Sequence, residues 1–301
     1  MNSEHILIPG GSGLIGTRLT ELLRQKGHVV AHLSRSGKNG PVTTYPWNPD
    51  DFWIDPAAIR GRTVIINLAG ANVGEKRWTK KRKKEILESR IKSAAILCNE
   101  LKRGDHQVHT YISASGTSYY GTNNDVKFFT EGDPPGHDFL AEVTQAWENE
   151  ADTISTTGVR VVKLRTAPVL SADNGLLSRF ITPIRWFVGA PLGTGKQFMS
   201  WIHINDICGI YEFAMENRTL EGVFNAVAPQ PVTNREFVKC MAHVLKRPIL
   251  LPPVPHFVLQ LMFGEMAVVA VGGSKVSAEK IMKAGFTFQF DTLSKAMNDI
   301  F

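Results

Sequence analysis

Seven residues near the start of the chain, Gly10-Gly11-Ser12-Gly13-Leu14-Ile15-Gly16, constrain its fold more than any other stretch. They follow a short apolar run, His5-Ile6-Leu7-Ile8, and lead into an amphipathic pattern that ends near Gly27. A strand, a glycine turn and a helix in that order make a phosphate cradle. Gly10 permits the tight turn, Gly13 the close approach of a pyrophosphate, and Gly16 the packing of helix on strand. The first helical N–H groups and the positive end of the dipole face the phosphates, so Gly11, Ser12, Leu14 and Ile15 join the expected cofactor contacts. Glycine recurs here at every third residue, unlike the Gly-x-Gly-x-x-Gly of many dehydrogenases. The alternative reading is an ordinary glycine-rich turn.

Short apolar runs alternate with amphipathic stretches through the first half of the chain. They fall at Val29–Leu33, Val42–Tyr45, Val64–Leu68, Val108–Ile112 and Val159–Leu164, with helices over about 80–102 and 139–154. That rhythm predicts an α/β fold, a Rossmann-type doubly wound parallel sheet covered on both faces. Residues 171–205 read as loop-rich, Phe224-Asn225-Ala226-Val227 as a late strand, and the tail as helices around Pro248–Pro255. We expect a dinucleotide-binding domain over 1–165, rejoined by about 204–228, and a smaller, mainly C-terminal substrate lobe over 166–301.

The composition is that of a soluble globular protein, and 301 residues suffice for a substantial core. The first strand begins almost at once, so no signal or transit peptide is expected. No apolar run reaches the roughly 18 residues of a membrane span, so no membrane partner is expected. Three widely spaced cysteines, Cys98, Cys208 and Cys240, point to reduced thiols in a cytoplasmic protein. The nine histidines show no metal-ligand spacing, so no metal is expected. Residues 76–84 hold seven of the 34 basic residues. A solvated helix start explains that run better than nucleic-acid binding, and a rim attracting phosphorylated ligands is a third reading.

An acidic residue about 20 positions past the glycines selects NAD in many relatives of such a turn. This chain has Ser34-Arg35-Ser36 instead. A guanidinium between two hydroxyls suits a 2′-phosphate, so NADP(H) is the expected cofactor.

With these pieces in place the chain resembles the extended short-chain dehydrogenase/reductases. Asn67-Leu68-Ala69-Gly70 looks like the segment that runs along the cofactor in that group. Ser113-Ala114-Ser115 with Tyr119-Tyr120-Gly121 resembles its active-site serine segment, and Arg165 sits where its nicotinamide-contacting loop begins. A closer resemblance is to the atypical nucleoside-diphosphate-sugar epimerase-like branch, sometimes labelled cell division inhibitor. It is carried by Ser89-Arg90, Asp138-Phe139-Leu140, Trp147-Glu148, Leu192-Gly193, Ser200-Trp201-Ile202-His203, Asp206, Asn225, Pro231–Asn234 and Gly285-Phe286. The sequence departs from that branch at Ala167-Pro168, where a glycine is usual. The resemblance implies Leu68, Ala69, Gly70, Ser113 and Arg165 as cofactor contacts. It also implies Arg90, Gln197 and Trp201 as substrate contacts, and a homodimer as one open oligomeric state.

Active members of the broad family use a Tyr-x-x-x-Lys pair, in which lysine lowers the phenol pKa for proton exchange. None of the five tyrosines here has lysine four residues on. Ser115, Tyr119 and His203 are the catalytic candidates that remain, with Tyr120 and Glu142 as further polar groups. Asp206 is most simply a helix cap or dipole partner. The chain therefore reads as an NADP(H)-dependent oxidoreductase or epimerase-like enzyme acting on a small carbonyl or sugar-nucleotide-like substrate. The competing reading is a catalytically silent NADPH-binding sensor or interaction protein.

Overall fold

The computed structural model describes residues 3–35, 40–122, 127–172 and 176–301. Its centre is an eight-stranded sheet. In chain order the strands are β1 (His5–Pro9), β2 (Val29–Ser34), β3 (Thr43–Asn48), β4 (Trp53–Ile54), β5 (Val64–Asn67) and β6 (Thr110–Gly116). After the short β7 (Phe128–Phe129) come β8 (Arg160–Thr166) and, much later, β12 (Gly222–Ala226). The order across the sheet is β12-β8-β6-β5-β1-β2-β3-β4, parallel except for the β3–β4 hairpin at one edge. The chain runs outward in both directions from the β1–β5 pair, so the carboxyl ends of β1 and β5 flank a topological switch point.

Period-two alternation sorts the strand residues between two faces. Ile6, Ile8, Val64, Ile66, Ile112 and Val162 meet Leu19 and Leu23 of α1 (Leu14–Gln25), with Ile207 and Tyr211 of α5 (Ile204–Glu216). Leu7, Ile65, Tyr111 and Val161 face the other way, onto Ile96, Leu97 and Leu101 of α2 (Lys80–Lys102). Strands covered on both faces read as continuous apolar runs, and all four residues of β5 are buried.

The smaller lobe has its own core, in which Leu177 and Ile184 of α4 (Leu176–Arg185) meet Trp201. Phe237 and Met241 of α6 (Asn234–Val244) and Leu293 and Met297 of α10 (Leu293–Ile300) complete it. Three two-residue strand pairs knit this region: β9 (Val169–Leu170) with β11 (Ile202–His203), β10 (Phe198–Met199) with β13 (Val232–Thr233), and β7 with β14 (Lys275–Val276). Helices α7 (His256–Phe263), α8 (Ala267–Val271) and α9 (Glu279–Lys283) lie between α6 and α10.

The strands and helices differ from the sequence expectation in three places. β6 runs on through Ser113-Ala114-Ser115 because β8 pairs with it residue for residue, Ser113 opposite Lys163 and Ser115 opposite Arg165. α4 forms within a stretch expected to be loop; Leu177, Phe180, Ile181 and Ile184 supply its core-facing stripe, with Pro183 in its last turn. The hairpin strand β4 is only two residues long, too short to leave a period in the sequence.

The glycine turn is built on backbone contact. Gly10 has φ +80°, and a Cβ there would stand 2.8 Å from the Leu68 carbonyl at the end of β5. A Cβ on Gly16 would stand 2.6 Å from both the Gly10 oxygen and the Gly11 Cα. Neither neighbour is a side chain that can swing away. Gly16→Ala is therefore expected to lower stability by about 1–3 kcal/mol, read as a lower denaturation midpoint in urea. An unchanged midpoint would mean that α1 shifts without cost.

Candidate functional site

Gly13 is the N-cap of α1, in extended conformation, and contributes no side-chain cap; the first turn of the helix carries no acidic residue. Ser12 and Gly13 are exposed while Gly11 and Gly16 are buried, so the turn shows its backbone on the outer side only. The inner side is full: the His32 ring lies where a Cβ on Gly11 would go, and its Nε2 is 2.8 Å from the Thr20 hydroxyl. Burial, with Arg24 adding repulsion, holds the His32 pKa below the usual imidazole range. Exposed backbone at the start of an uncapped helix, with the dipole behind it, fits a diphosphate.

Two neighbouring strand ends complete this edge. β2 ends beside β1, with Leu33 opposite Pro9, and Arg35 follows it, exposed to solvent. Ser34 ends that strand, and Ser36 lies outside the described residues. On the other side, the amide of the fully buried Asn67 donates to Tyr111 Oη at 2.9 Å and to Ser93 Oγ at 3.2 Å, and its oxygen accepts the Ala69 N–H. Those bonds fix Leu68, Ala69 and Gly70 against the glycine turn. Arg90 braces them from α2. Its guanidinium donates to the carbonyls of Ala71 and Ile86 and lies 4.9 Å from the Trp147 ring centre. Burial brings the Arg90 pKa down to about 10.

A second constellation lies beneath the ends of β6 and β8. Ser115 Oγ donates to Glu148 Oε1 at 2.6 Å, short as charge-assisted bonds are. Glu148 sits on the buried side of α3 (Phe139–Asp152). Arg165 grips the same carboxylate with both sides of its fork, Nε to Oε1 and a terminal nitrogen to Oε2, each at 2.8 Å. Its remaining nitrogen donates to Tyr120 Oη at 3.0 Å, and that phenol donates to Asn225 Oδ1 on β12 at 2.7 Å. Ser115, Tyr120, Glu148, Arg165 and Asn225 are all buried. Burial alone would lower the Arg165 pKa, but the bonds and charge of Glu148 raise it. Burial pushes the Tyr120 phenol up to about 12 against the pull of Arg165. The half-buried Tyr119 ring lies against this assembly, its centre 3.3 Å from the Arg165 guanidinium carbon.

The structure thus brings Ser115, Tyr119 and Arg165 together, and it supplies Glu148 and Asn225, to which sequence reasoning gave no role. The signal for Glu148 was present: a carboxylate on the same helical face as Ala141, Thr144 and Ala151, which are buried. Ser113 lies on the same strand with its hydroxyl on the Ala114 carbonyl. On α3, the Thr144 hydroxyl is 2.8 Å from that of Ser118, and Leu140 stands one turn earlier.

Other expected site residues are placed differently. His203 caps α5, its Nδ1 accepting the Asn205 N–H at 3.2 Å; its ring lies 3.8 Å from that of Phe290, and Nε2 faces Asp299 Oδ2 at 3.3 Å. Burial holds its pKa low. These partners occupy His203 in the smaller lobe's packing, apart from the Ser115 network. Trp201 is fully buried in the lobe's core with its indole N–H on the Gln230 carbonyl, which leaves no face for a substrate. Gln197 is buried too, its amide donating to the Leu192 carbonyl at 2.9 Å and so closing the 192–197 turn. Asp206 stands in the first turn of α5, where a carboxylate favours the helix dipole, while His203 is the cap. Asp206 accepts the N–H groups of Gln289 and Phe290, and burial raises its pKa.

The basic run at 76–84 meets the smaller lobe. Arg77 donates to the carbonyls of Leu261 and Met262 at the end of α7, Lys83 pairs with Glu265, and the buried Arg82 holds Glu75, Glu85 and the Asn72 carbonyl. From α4, Arg179 donates to the Gly74 carbonyl. Beside these links lies a cavity of about 240 Å³ lined by Trp78, Lys83, Asp138, Phe139, Leu140 and Val268, with Trp78 edge-on to Phe139. No group of three or more His, Cys, Asp and Glu placed to hold a metal exists among the described residues. No helix among them is long and apolar enough to cross a membrane.

Residues 6–226 match the NAD dependent epimerase/dehydratase family, and residues 254–300 match a domain of unknown function, DUF1731. The chain is 34% identical over 299 residues to the mouse epimerase family protein SDR39U1, covering 98% of this chain and 99% of the relative. It is 33% identical to the epimerase family protein YfhF of Bacillus subtilis, covering 98% and 97%. Among solved structures, that of human SDR39U1 (isoform 2) with NADPH superposes with a TM-score of 0.87 at 31% identity, over 98% of each chain.

The Glu148–Arg165 pair makes a sharp stability prediction. Glu148→Gln or Arg165→Met alone is expected to cost about 3–5 kcal/mol, because each leaves the other charge buried and unpaired. The double variant is expected to lose clearly less than the sum, as measured by a double-mutant cycle in urea. Additive losses would mean the two charges do not act as a pair.

Proposed function

The chain belongs to the NAD dependent epimerase/dehydratase family, and we propose that it binds NADP(H) in the glycine turn and acts as an oxidoreductase or epimerase-like enzyme on a small carbonyl or sugar-nucleotide-like substrate. The observation that carries the reading is the turn itself: backbone exposed on one side, packed to contact on the other, at the N-terminus of an uncapped helix. The NADPH reported for the human relative supports the choice of cofactor.

In this reading the N–H groups at the start of α1 hold the diphosphate. Arg35, with Ser34 and Ser36, receives the 2′-phosphate through charge-assisted bonds. The segment 68–70, held by Asn67 and Arg90, lines the path toward the nicotinamide, and Ser113 and Ser115 close it from β6. When bound, NADP(H) supplies or takes up the hydride. Tyr119 and Ser115 are the groups placed to hold the proton at the substrate oxygen. Ser115 Oγ–H is directed to Glu148, so its free lone pairs accept a substrate hydroxyl more readily than its proton is given away. The Tyr119 ring is the partly exposed phenol at the site, fixed in position by the guanidinium beneath it. Arg90, Trp201 and Gln197 support the walls by packing, while Trp78, Phe139 and Leu140 offer the apolar contacts.

The same commitment of Ser115 to Glu148, with no Tyr-x-x-x-Lys pair in the chain, favours a second reading: a cofactor-binding sensor that does not turn NADPH over. Stereospecifically deuterated NADPH offered with a panel of carbonyl compounds and sugar nucleotides separates the two. Deuterium transfer to a product is expected for the enzyme; tight binding with no transfer across the panel supports the sensor. Arg35→Asp tests the cofactor assignment. It is expected to weaken NADPH binding by at least tenfold while changing NADH binding little, since only the former carries the charge that Arg35 meets. Equal losses in calorimetric titration would overturn it.

A further inference from the structure

The net charge of +6 is unevenly placed. Residues 174–205 and 237–264 contain no Asp or Glu, yet they contain Arg179, Arg185, Lys196, Lys239, Lys246 and Arg247. Those six equal the whole positive excess, and outside the two stretches acids and bases balance in number. Both stretches belong to the smaller lobe.

The same stretches carry large apolar side chains in solvent. Trp186 is 77% exposed, Leu250 68% and Val188 56%, and Phe187 and Leu251 are exposed as well. The two groups are neighbours. The Arg247 guanidinium lies 5.1 Å from the Phe187 ring centre. The chain after Leu251 runs back along 191–193, Val254 exchanging backbone bonds with Pro191 at 2.8 Å and Gly193 at 2.9 Å. Arg185, Lys246 and Arg247, all exposed, flank the apolar group.

Backbone strain marks the place too. Phe187 has φ +61°, a left-handed conformation that is strained for a bulky residue. It is held there by the Phe187 and Val188 N–H groups on the carbonyls of Ile184 and Pro183. The core does not gain from that strain, because the ring it positions is left half in water. Packing would have been served by a glycine there and a polar residue at 186.

We propose that this face of the smaller lobe docks on an anionic phospholipid surface. Trp186, Phe187, Val188 and Leu250 enter the headgroup layer, and Arg185, Lys246 and Arg247 meet lipid phosphates. Tryptophan and aliphatic side chains ringed by Arg and Lys, with no carboxylate among them, match an interface that is apolar below and negative above. Nucleic acid would use the cations but leave the aliphatic groups in water. A second copy of this chain would present the same positive charge to itself. With no helix fit to cross a bilayer among the described residues, the contact is peripheral.

Cosedimentation of the full chain with vesicles of phosphatidylcholine alone, or mixed with phosphatidylglycerol, tests this. Binding is expected only with phosphatidylglycerol and is expected to weaken as salt is raised. Trp186→Ser with Leu250→Ser is expected to lower partitioning at least about tenfold. Arg185→Gln with Arg247→Gln is expected to lower it about 30-fold. All four substitutions lie on the surface, and an unchanged circular-dichroism melting curve checks that the variants fold. Equal sedimentation with both vesicle types, or variants that bind like the parent, would overturn the proposal. So would a dimer that W186S/L250S converts to monomer without vesicle binding, which would assign the face to a second copy.

Discussion

A carboxylate and a guanidinium buried beneath the carboxyl ends of β6 and β8 tie helix α3 to the three paired strands β6, β8 and β12. Glu148 comes from α3, Arg165 from β8, Ser115 from β6, and Tyr120 and Asn225 join from the 3-10 turn after β6 and from β12 at the edge of the sheet. Removing two charges from water is costly, and the cost is recovered only if every polar atom finds a partner in good geometry. The pair therefore demands the whole set. Once the set is in place, the floor on which Tyr119 rests can scarcely move, because the Arg165 guanidinium beneath the ring is held by Glu148.

The edge at the glycine turn works by a different principle. There the constraint is absence: at Gly10 and Gly16 any added carbon would strike backbone, and at Gly11 it would strike His32. The same contacts that leave no space inside leave the N-terminal turn of α1 bare outside. Asn67 extends this order to the next strand by holding Ala69 through its side-chain oxygen, so β1 and β5 present one continuous edge.

Much of this was legible in the residues. Glycine spacing after an apolar run identified the turn because only backbone geometry can require it, and continuous apolarity at Val64–Ile66 identified a strand covered on both faces. What could not be read was which polar residues face one another across distant segments. Glu148 and Arg165 are 17 positions apart and Tyr120 and Asn225 are 105 apart, and no local period connects them. Trp201 and His203 misled for a related reason. Their chemistry suits a ligand site, but a large ring also suits a core, and only the packing of α6 and α10 around Trp201 decides for the latter. β6 outran its expected end because a partner strand of equal length can hold Ser113 and Ser115 in extended form.

The links between the two lobes have an evolutionary consequence. Arg77 reaches the carbonyls of Leu261 and Met262, and Arg179 reaches that of Gly74. A carbonyl is offered by every residue, whatever its side chain. At those carbonyls the latch asks for a particular side chain on the arginine side, whereas Lys83 needs Glu265 opposite it and Arg179 needs the small residue at Gly74. Lineages that keep these few residues are free to rebuild the rest of the smaller lobe's surface, and with it the range of molecules the protein meets, while the closure between the lobes stays as it is.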